Sequence, residues 1–217
     1  MEFKTVVHKI CGREIAITIP SDPEAVLAEA VELDTDSDGD SDPYWCLVWA
    51  AAPRTARLIL EAEWVSDKQL TAIELGCGAG LAGIAAQHAG LDVTFSDYSS
   101  PAVDQAISNA SANGFANSTG LVLDWNHPTA TQYDYLLGSD ILYDKANHAP
   151  VLKVLRTMMV PGGEAWIGDM GRYALDGFIT LATKEGWQID LFDEDHKRLV
   201  KPIHQSFQLL KIKAKSS

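Results

Sequence analysis

The strongest constraint on the fold is a glycine-rich turn that joins a short apolar run to a helical pattern. Gly76, Gly78 and Gly80 stand at alternate positions directly after the apolar run Ala72–Leu75. Glycine adopts backbone conformations that a Cβ forbids, and it lets a ligand approach the main chain closely. The segment therefore predicts a strand that enters a helix through a turn able to hold a cofactor.

From residue 70 onward, short apolar runs alternate with amphipathic stretches, which is typical of βα units. This pattern predicts an α/β fold with a Rossmann-like, seven-stranded, mostly parallel sheet and helices on both faces. The last strand is expected to be antiparallel, because the irregular connection Asp193–His204 would join it to its predecessor as a hairpin. We expect strands at Ala72–Leu75, Asp92–Ser96, Gly120–Leu123, Tyr135–Ser139, Gly163–Gly168, Trp187–Phe192 and Ser206–Lys213, and helices at Leu81–Ala89, Ala102–Asn113, Pro150–Met159 and Tyr173–Glu185.

The pattern of the first 70 residues predicts an N-terminal appendage followed by a further helix. The β-rich runs Phe3–Ile10 and Arg13–Ile19 indicate an antiparallel hairpin, and the helix that follows Ser21 should reach about Leu33. A second helix is expected over Trp49–Trp64. No linker is evident, so we expect a single domain whose residues 1–42 form the appendage and whose residues 43–217 form the cofactor-binding core.

Composition excludes several classes of protein. There are 17 basic and 30 acidic side chains, a net charge of −13, which disfavours nucleic acid as a partner. No run of about 18 apolar residues indicates a membrane span, and the N-terminus lacks a signal pattern, so a cytoplasmic location is expected. The 3 cysteines are widely spaced, which favours reduced thiols over disulfides or a paired-cysteine metal site.

The acidic segment Asp34–Asp42 resembles the start of a calcium-binding loop, with Asp at alternate positions and a glycine. Counting on from Asp34, however, Trp45 occupies the position of the bidentate glutamate. A solvated acidic loop is therefore the favoured interpretation over a calcium site. Such a loop could also attract a basic partner by long-range electrostatics.

The glycine turn itself supports two cofactors. Gly78, Gly80 and Gly83 match the dinucleotide fingerprint, with Asp97 near the position of the ribose-binding acid. The carboxylate of Glu74, however, would add nothing useful to a pyrophosphate site. None of the 6 tyrosines is followed by lysine at the spacing of a short-chain reductase. An NAD-dependent reductase is therefore the less favoured alternative.

An acid followed by alternating glycines, here Glu74 and the segment Gly76–Gly80, resembles motif I of the seven-β-strand S-adenosylmethionine-dependent methyltransferases. In that family an acid at the end of the second strand binds the ribose hydroxyls, and Asp97 matches this position. The sequence from Asp140 to Tyr143 reads Asp-x-x-Tyr after the fourth strand. Together with the tryptophan-containing segments Pro43–Trp49 and Leu123–Trp125, it is similar to the family-16-type group of lysine and nicotinamide-like N-methyltransferases.

The resemblance implies roles for particular residues. Asp140 and Tyr143 would face the methyl acceptor as the catalytic pair. No metal is required, and the histidines lack metal-ligand spacing. Judged without the resemblance, Trp49 and Trp125 could be core aromatics, and Asp124 and Asp140 could be caps. The implied cofactor contacts are Trp49, Glu74, Gly76, Cys77, Gly78, Gly80, Asp97, Tyr98, Asp124, Trp125 and Ser139.

The sequence thus favours a cytoplasmic N-methyltransferase that uses S-adenosyl-L-methionine and methylates lysine on a protein. A nicotinamide-like small amine is the alternative acceptor, and nucleic acid and membrane are not expected as partners. A catalytically silent module that binds cofactor or calcium is the non-enzyme alternative. Arg172 follows the fifth strand and has only a weak claim to the substrate side, since a loop arginine is usually solvated.

Overall fold

A computed structural model describes residues 2–23, 25, 26, 28 and 43–215. The acidic segment Asp34–Asp42, and the end of the predicted helix near Leu33, lie outside the described residues. Within the described part of the chain, no helix is long and apolar enough to cross a membrane.

The regular elements follow one another in an alternating order. In chain order they are β1 (Phe3–Ile10), β2 (Arg13–Pro20), α1 (Ala51–Glu61), β3 (Thr71–Leu75), α2 (Leu81–His88), β4 (Asp92–Asp97), α3 (Ser100–Ala112), β5 (Thr119–Val122), β6 (Tyr133–Ser139), α4 (His148–Met158), β7 (Met159–Asp169), α5 (Ala174–Lys184), β8 (Trp187–Phe192), β9 (Arg198–Leu199) and β10 (Gln208–Ala214). Short 3₁₀ helices cover Pro43–Cys46 and Lys145–Asn147.

The large sheet has the strand order β5-β4-β3-β6-β7-β10-β8-β9. The first five of these strands are parallel, whereas β10 lies antiparallel between β7 and β8, as predicted for the last strand. All seven strands expected from the sequence form. The connection before β10 also contributes the two-residue strand β9, which pairs with Leu191 and Phe192. A strand of two residues is too short to show an alternating apolar pattern, so this eighth strand of the sheet was not predicted.

Helices cover both faces of the sheet, as the alternating pattern predicts. Leu136 and Leu137 are neighbours on β6 and point to opposite faces, into two separate apolar clusters. One cluster contains residues of α1, α2, α3 and the hairpin, and the other contains residues of α4 and α5. The sheet is therefore buried on both sides, which explains why its strands read as nearly continuous apolar runs.

The predicted N-terminal hairpin is present. Strands β1 and β2 pair antiparallel through a turn at Cys11 and Gly12, which have φ values of 50° and 73°. Positive φ at both central residues matches the twist of a two-residue hairpin. Ile15 and Ile17 on β2 are fully buried in the cluster that contains α2 and α3, so the hairpin packs on the core.

Candidate functional site

The glycine turn crosses the carboxyl end of β3 in left-handed conformations. Gly76, Gly78 and Gly80 have φ values of 59°, 48° and 85°. A Cβ on Gly76 would also lie 2.9 Å from Cγ2 of Ile141. Both the backbone angle and the close neighbour therefore require glycine at position 76.

Asp97 stands at the end of β4, beside the turn. One carboxylate oxygen accepts the backbone N–H of Gly78 at 3.0 Å, and the other accepts that of Ser99 at 3.0 Å. Because β3 and β4 are parallel neighbours, their carboxyl ends meet at the same edge of the sheet. Asp97 thus fixes the turn, and each of its oxygens can accept more than one hydrogen bond.

Glu74 lies beneath the turn rather than in the open cavity. Its Oε2 accepts the backbone N–H of Gly83 at 2.9 Å, so the carboxyl group binds the first turn of α2. Burial raises the pKa of Glu74 to about 8. Burial also raises the pKa of the Cys77 thiol well above its usual range, which keeps this side chain neutral.

A cavity of about 420 Å³ opens beside the turn at the carboxyl ends of β3, β4 and β6. This volume lies within the range of small-molecule sites. Three residues predicted to contact the cofactor, Glu74, Cys77 and Gly80, are not in its wall. They line a smaller pocket of about 40 Å³ that shares Gly76, Gly78 and Ser139 with the cavity. The predicted residues that do line it are Trp49, Gly76, Gly78, Asp97, Tyr98, Asp124, Trp125, Ser139, Asp140 and Tyr143.

The wall also contains residues that were not predicted to bind the cofactor. Several of them flank predicted ones in the sequence, which is the signal that could have identified them. Leu123 and Asn126 enclose the pair Asp124–Trp125, and Ile141 lies within the Asp-x-x-Tyr segment. The additional lining residues are Tyr44, Trp45, Leu123, Asn126, Ile141, Asn147 and Pro150.

Two buried polar atoms in the cavity wall have no hydrogen-bond partner among the residues that the structure describes. They are Oγ of Ser139 and Nε1 of Trp125. Buried polar groups are nearly always paired in folded proteins, so these two atoms indicate a polar ligand. Among the described residues that line the cavity there are carboxylates but neither lysine nor arginine. The wall therefore suits the cationic S-adenosylmethionine better than a pyrophosphate.

Asp124 remains ionised at this site. Its carboxylate accepts the backbone N–H of Asn126 at 2.8 Å and contacts Nδ1 of His127 at 2.7 Å. These bonds hold the pKa of Asp124 below its usual range. Asp124 thus shapes the turn that presents Trp125, in keeping with the cap that was one of its two interpretations.

Asp140 connects three segments. It has a φ of 58°, and its Oδ2 accepts the backbone N–H of Ala51 at 2.8 Å, which caps the start of α1. Its Oδ1 forms an ion pair with the guanidinium of Arg172, and the Asp140 side chain is only 3% exposed. The cap interpretation therefore applies here also, although Asp140 still lines the cavity.

A second pocket of about 230 Å³ shares several walls with the cavity; it is called the aromatic pocket below. It is lined by Tyr44, Trp49, Asp140, Tyr143 and Arg172. The ring centroid of Tyr44 lies 5.8 Å from that of Trp49 and 6.3 Å from that of Tyr143. Three aromatic rings are suited to enclose an alkyl chain, and the Asp140 carboxylate, which is already paired with Arg172, can accept a further hydrogen bond.

Arg172 lines this pocket, and its side chain is 31% exposed. Its guanidinium carbon lies 6.0 Å from the ring centroid of Trp49 and 5.9 Å from that of Tyr143. The backbone N–H groups of Gly171 and Arg172 donate to the buried Asp169, which fixes the loop. Burial raises the pKa of Asp169. No group of three or more potential metal ligands occurs among the described residues.

Comparison with known proteins agrees with this geometry. A sequence model of the lysine methyltransferase family matches residues 29–173. Mouse EEF1A lysine methyltransferase 3 is 27% identical over 201 residues, which cover 81% of this chain and 86% of the mouse protein.

Two solved structures share the fold. A ribosomal protein L11 methylase from Lactobacillus delbrueckii subsp. bulgaricus has a TM-score of 0.63 at 19% identity, covering 78% of this chain and 81% of its own. A TehB-like SAM-dependent methyltransferase from Corynebacterium glutamicum has a TM-score of 0.61 at 19% identity, covering 90% and 99%. The predicted enzyme class and cofactor are confirmed, and the NAD-dependent reductase is set aside. Since the family match spans well over half of the chain, this protein belongs to the lysine methyltransferase family of S-adenosylmethionine-dependent enzymes.

Proposed function

We propose that this protein methylates the ε-amine of lysine on a protein substrate. The aromatic pocket carries the proposal, because it adjoins the cavity and combines three aromatic rings with the buried carboxylate of Asp140. A lysine side chain is a flexible alkyl chain that ends in an amine. The rings can enclose the chain, and Asp140, whose charge is already balanced by Arg172, can accept a hydrogen bond from the amine once it is neutral. The name of the mouse relative, a lysine methyltransferase for EEF1A, supports a protein acceptor.

The cavity beside the glycine turn is the proposed cofactor site. When bound there, S-adenosylmethionine supplies a methyl group activated on a positively charged sulfur. Asp97 would accept the two ribose hydroxyls in charge-assisted hydrogen bonds. Gly76 and Gly78 would allow close approach to the main chain, while Ser139 and Trp125 offer the two unpartnered polar atoms.

On the acceptor side the chain has to position an amine, exclude water and accommodate the loss of a proton. The rings of Tyr44, Trp49 and Tyr143 would enclose the lysine side chain and hold its nitrogen toward the cavity. The ammonium must become neutral before it can act as a nucleophile. Asp140 is proposed to orient the amine, with its own position fixed by Ala51 and Arg172.

Calorimetric titration with S-adenosylhomocysteine tests the cofactor site. We expect micromolar binding to the wild type and a loss of roughly 10- to 100-fold in Asp97→Ala, because the variant loses both the hydrogen bonds to the ribose and the bonds to Gly78 and Ser99 that hold the turn. Asp92→Ala is the matched control, since Asp92 is an exposed residue at the opposite end of the same strand. Wild-type protein that binds no S-adenosylhomocysteine, or equal affinity in both variants, would contradict the proposed site.

The acceptor is tested with a labelled methyl donor. The wild-type enzyme is incubated separately with a protein extract and with nicotinamide, and labelled proteins are mapped by mass spectrometry. We expect label on lysine nitrogen in the extract and none on nicotinamide. Label found on nicotinamide alone would refute the protein-lysine assignment while leaving the cofactor site intact.

A further inference from the structure

Two asparagines of α3 fasten the N-terminal hairpin to the core. Asn113 accepts the backbone N–H of Ala16 at 2.9 Å and donates to the Ala16 carbonyl at 2.8 Å. Asn109 repeats the arrangement one turn earlier, accepting the N–H of Thr18 at 2.9 Å and donating to its carbonyl at 3.1 Å. The two side-chain amides thus satisfy the edge of β2 that faces away from β1, as a neighbouring strand would.

Only one of these two asparagines also reaches the glycine turn. Nδ2 of Asn109 donates to the carbonyl of Ala79 at 2.9 Å, and Ala79 lies between Gly78 and Gly80. The further bond of Asn113 instead goes to the Asn109 carbonyl within the same helix, at 2.7 Å. Asn109 is 1% exposed, so its bonds form in a dry environment where a missing partner is costly.

The contact fixes a segment with little conformational preference of its own. Glycine-rich chain samples many backbone angles, so its order must come from outside bonds and close packing. The turn receives the bond from Asn109 on one side and the contact between Gly78 and Asp97 on the other. A turn ordered before the ligand arrives avoids an entropic cost on binding, and its affinity rises accordingly.

We propose that Asn109 is a positioning residue for cofactor binding, and that through it the N-terminal hairpin is part of the cofactor-binding unit. Asn109 acts by holding the Ala79 carbonyl, since its side chain is not in the cavity wall. Loosening the hairpin would therefore loosen the turn. The inference rests on the proposed assignment of the glycine turn to S-adenosylmethionine.

The two asparagines supply a matched pair of variants. Asn109→Ala and Asn113→Ala each remove two bonds to the hairpin backbone, but only Asn109→Ala removes the bond to Ala79. Melting temperatures and affinities for S-adenosylhomocysteine are measured for both, with the affinities taken well below either melting temperature. We expect a decrease in melting temperature in both variants, larger in Asn109→Ala because its bonds are more deeply buried, about fivefold or more weaker binding in Asn109→Ala, and a change of less than about twofold in Asn113→Ala.

The outcomes separate this inference from the proposed function. If the two variants bind with equal affinity while the wild type binds normally, the role of Asn109 is overturned and the proposed cofactor site is unaffected. A wild type that binds no S-adenosylhomocysteine would instead overturn the assignment of the glycine turn, and the inference with it.

A second measurement uses only the wild type. Coupling is reciprocal, so if the hairpin attachment strengthens cofactor binding, S-adenosylhomocysteine must strengthen the attachment. Hydrogen exchange of the Thr18 amide, which donates to Asn109, is expected to slow several-fold when the ligand saturates the protein. Unchanged exchange at Thr18 together with protection at the Gly78 amide would show that ligand is bound without coupling, and would overturn the inference.

Discussion

Glu74 and Asp124 carry the same functional group in opposite environments. Asp124 is partly exposed and accepts bonds from Asn126 and His127, which lower its pKa. Glu74 is buried, and desolvation outweighs its two backbone hydrogen bonds, so that its pKa rises to about 8. Asp124 is therefore a carboxylate at neutral pH, whereas Glu74, with a pKa of about 8, is mostly protonated at that pH.

The pKa of Glu74 predicts a pH dependence of stability in the cofactor-free protein. A folded pKa near 8, against 4.5 for the unfolded chain, means that the folded state binds the proton more tightly. This contribution is complete below pH about 4.5 and is lost as the pH rises toward about 8. Glu74→Gln keeps an acceptor for Gly83 but cannot ionise, so its free energy of unfolding should fall less over this window.

The measurement is urea unfolding of both proteins at several pH values between about 5 and 8. Relative to the wild type, Glu74→Gln should gain stability as the pH increases, with a slope of up to about 1.4 kcal/mol per pH unit. Parallel curves for the two proteins would mean that Glu74 has an ordinary pKa despite its burial.

At the level of elements, Asp140 joins the end of β6 to the start of α1. The residue before α1, Ala50, offers no side-chain cap, and the cap comes instead from a carboxylate that is 89 positions away in the sequence. Trp49 lies just ahead of this helix start and contributes a wall of the aromatic pocket. The cap therefore sets the position of a site residue as well as stabilising the helix.

Two substitutions at Asp140 remove the same charge but differ in whether they keep the cap. Asp140→Asn retains an acceptor for the N–H of Ala51 and tolerates the left-handed backbone, whereas Asp140→Ala loses the cap and is strained at a φ of 58°. Both lose the charge opposite Arg172. We expect Asp140→Ala to be about 2 kcal/mol less stable than Asp140→Asn in denaturant unfolding. Equal stabilities would mean that neither the cap nor the backbone angle contributes.

The order of elements could be predicted from the sequence because strand and helix periods are local properties. The parallel strands and the hairpin follow from runs of a few residues, and the turn residues Cys11 and Gly12 stand between two such runs. The hydrogen bond between Asn109 and Thr18 joins residues that are 91 positions apart, and no local sequence pattern indicates it. Glu74 was predicted to contact the cofactor, and this stays a prediction; its burial beneath the turn and its bond to Gly83 depend on packing that appears only in three dimensions.

The site also illustrates what the whole fold contributes. Asp97, Asp140 and Arg172 stand at or just after the ends of three different strands, and the parallel order of β4, β6 and β7 brings the carboxyl ends of these strands to the same edge of the sheet. Sequence motifs predicted the first two as site residues because each stands at the end of a recognisable strand. Arg172 lies in a loop without such a motif, and its side chain is placed by the ion pair with Asp140.

The net charge of −13 acts on the whole molecule and predicts how salt affects the reaction. A strongly acidic enzyme attracts a basic protein acceptor over distances longer than any contact, and this attraction raises the association rate. Salt shortens the range of the attraction, from about 30 Å at 0.01 M to about 10 Å at 0.1 M. With a basic protein acceptor, we therefore expect kcat/KM to fall by about tenfold over this interval while kcat stays constant.

A lysine-containing peptide of zero net charge is the control acceptor, and its kcat/KM should change little over the same salt range. The comparison distinguishes two origins of selectivity. Parallel salt dependence for both acceptors would place the effect at the cofactor or the active site, since both acceptors share them. A basic protein whose kcat/KM is insensitive to salt would show that the acidic surface does not guide it, and selection of the acceptor would then depend on short-range contacts at the aromatic pocket alone.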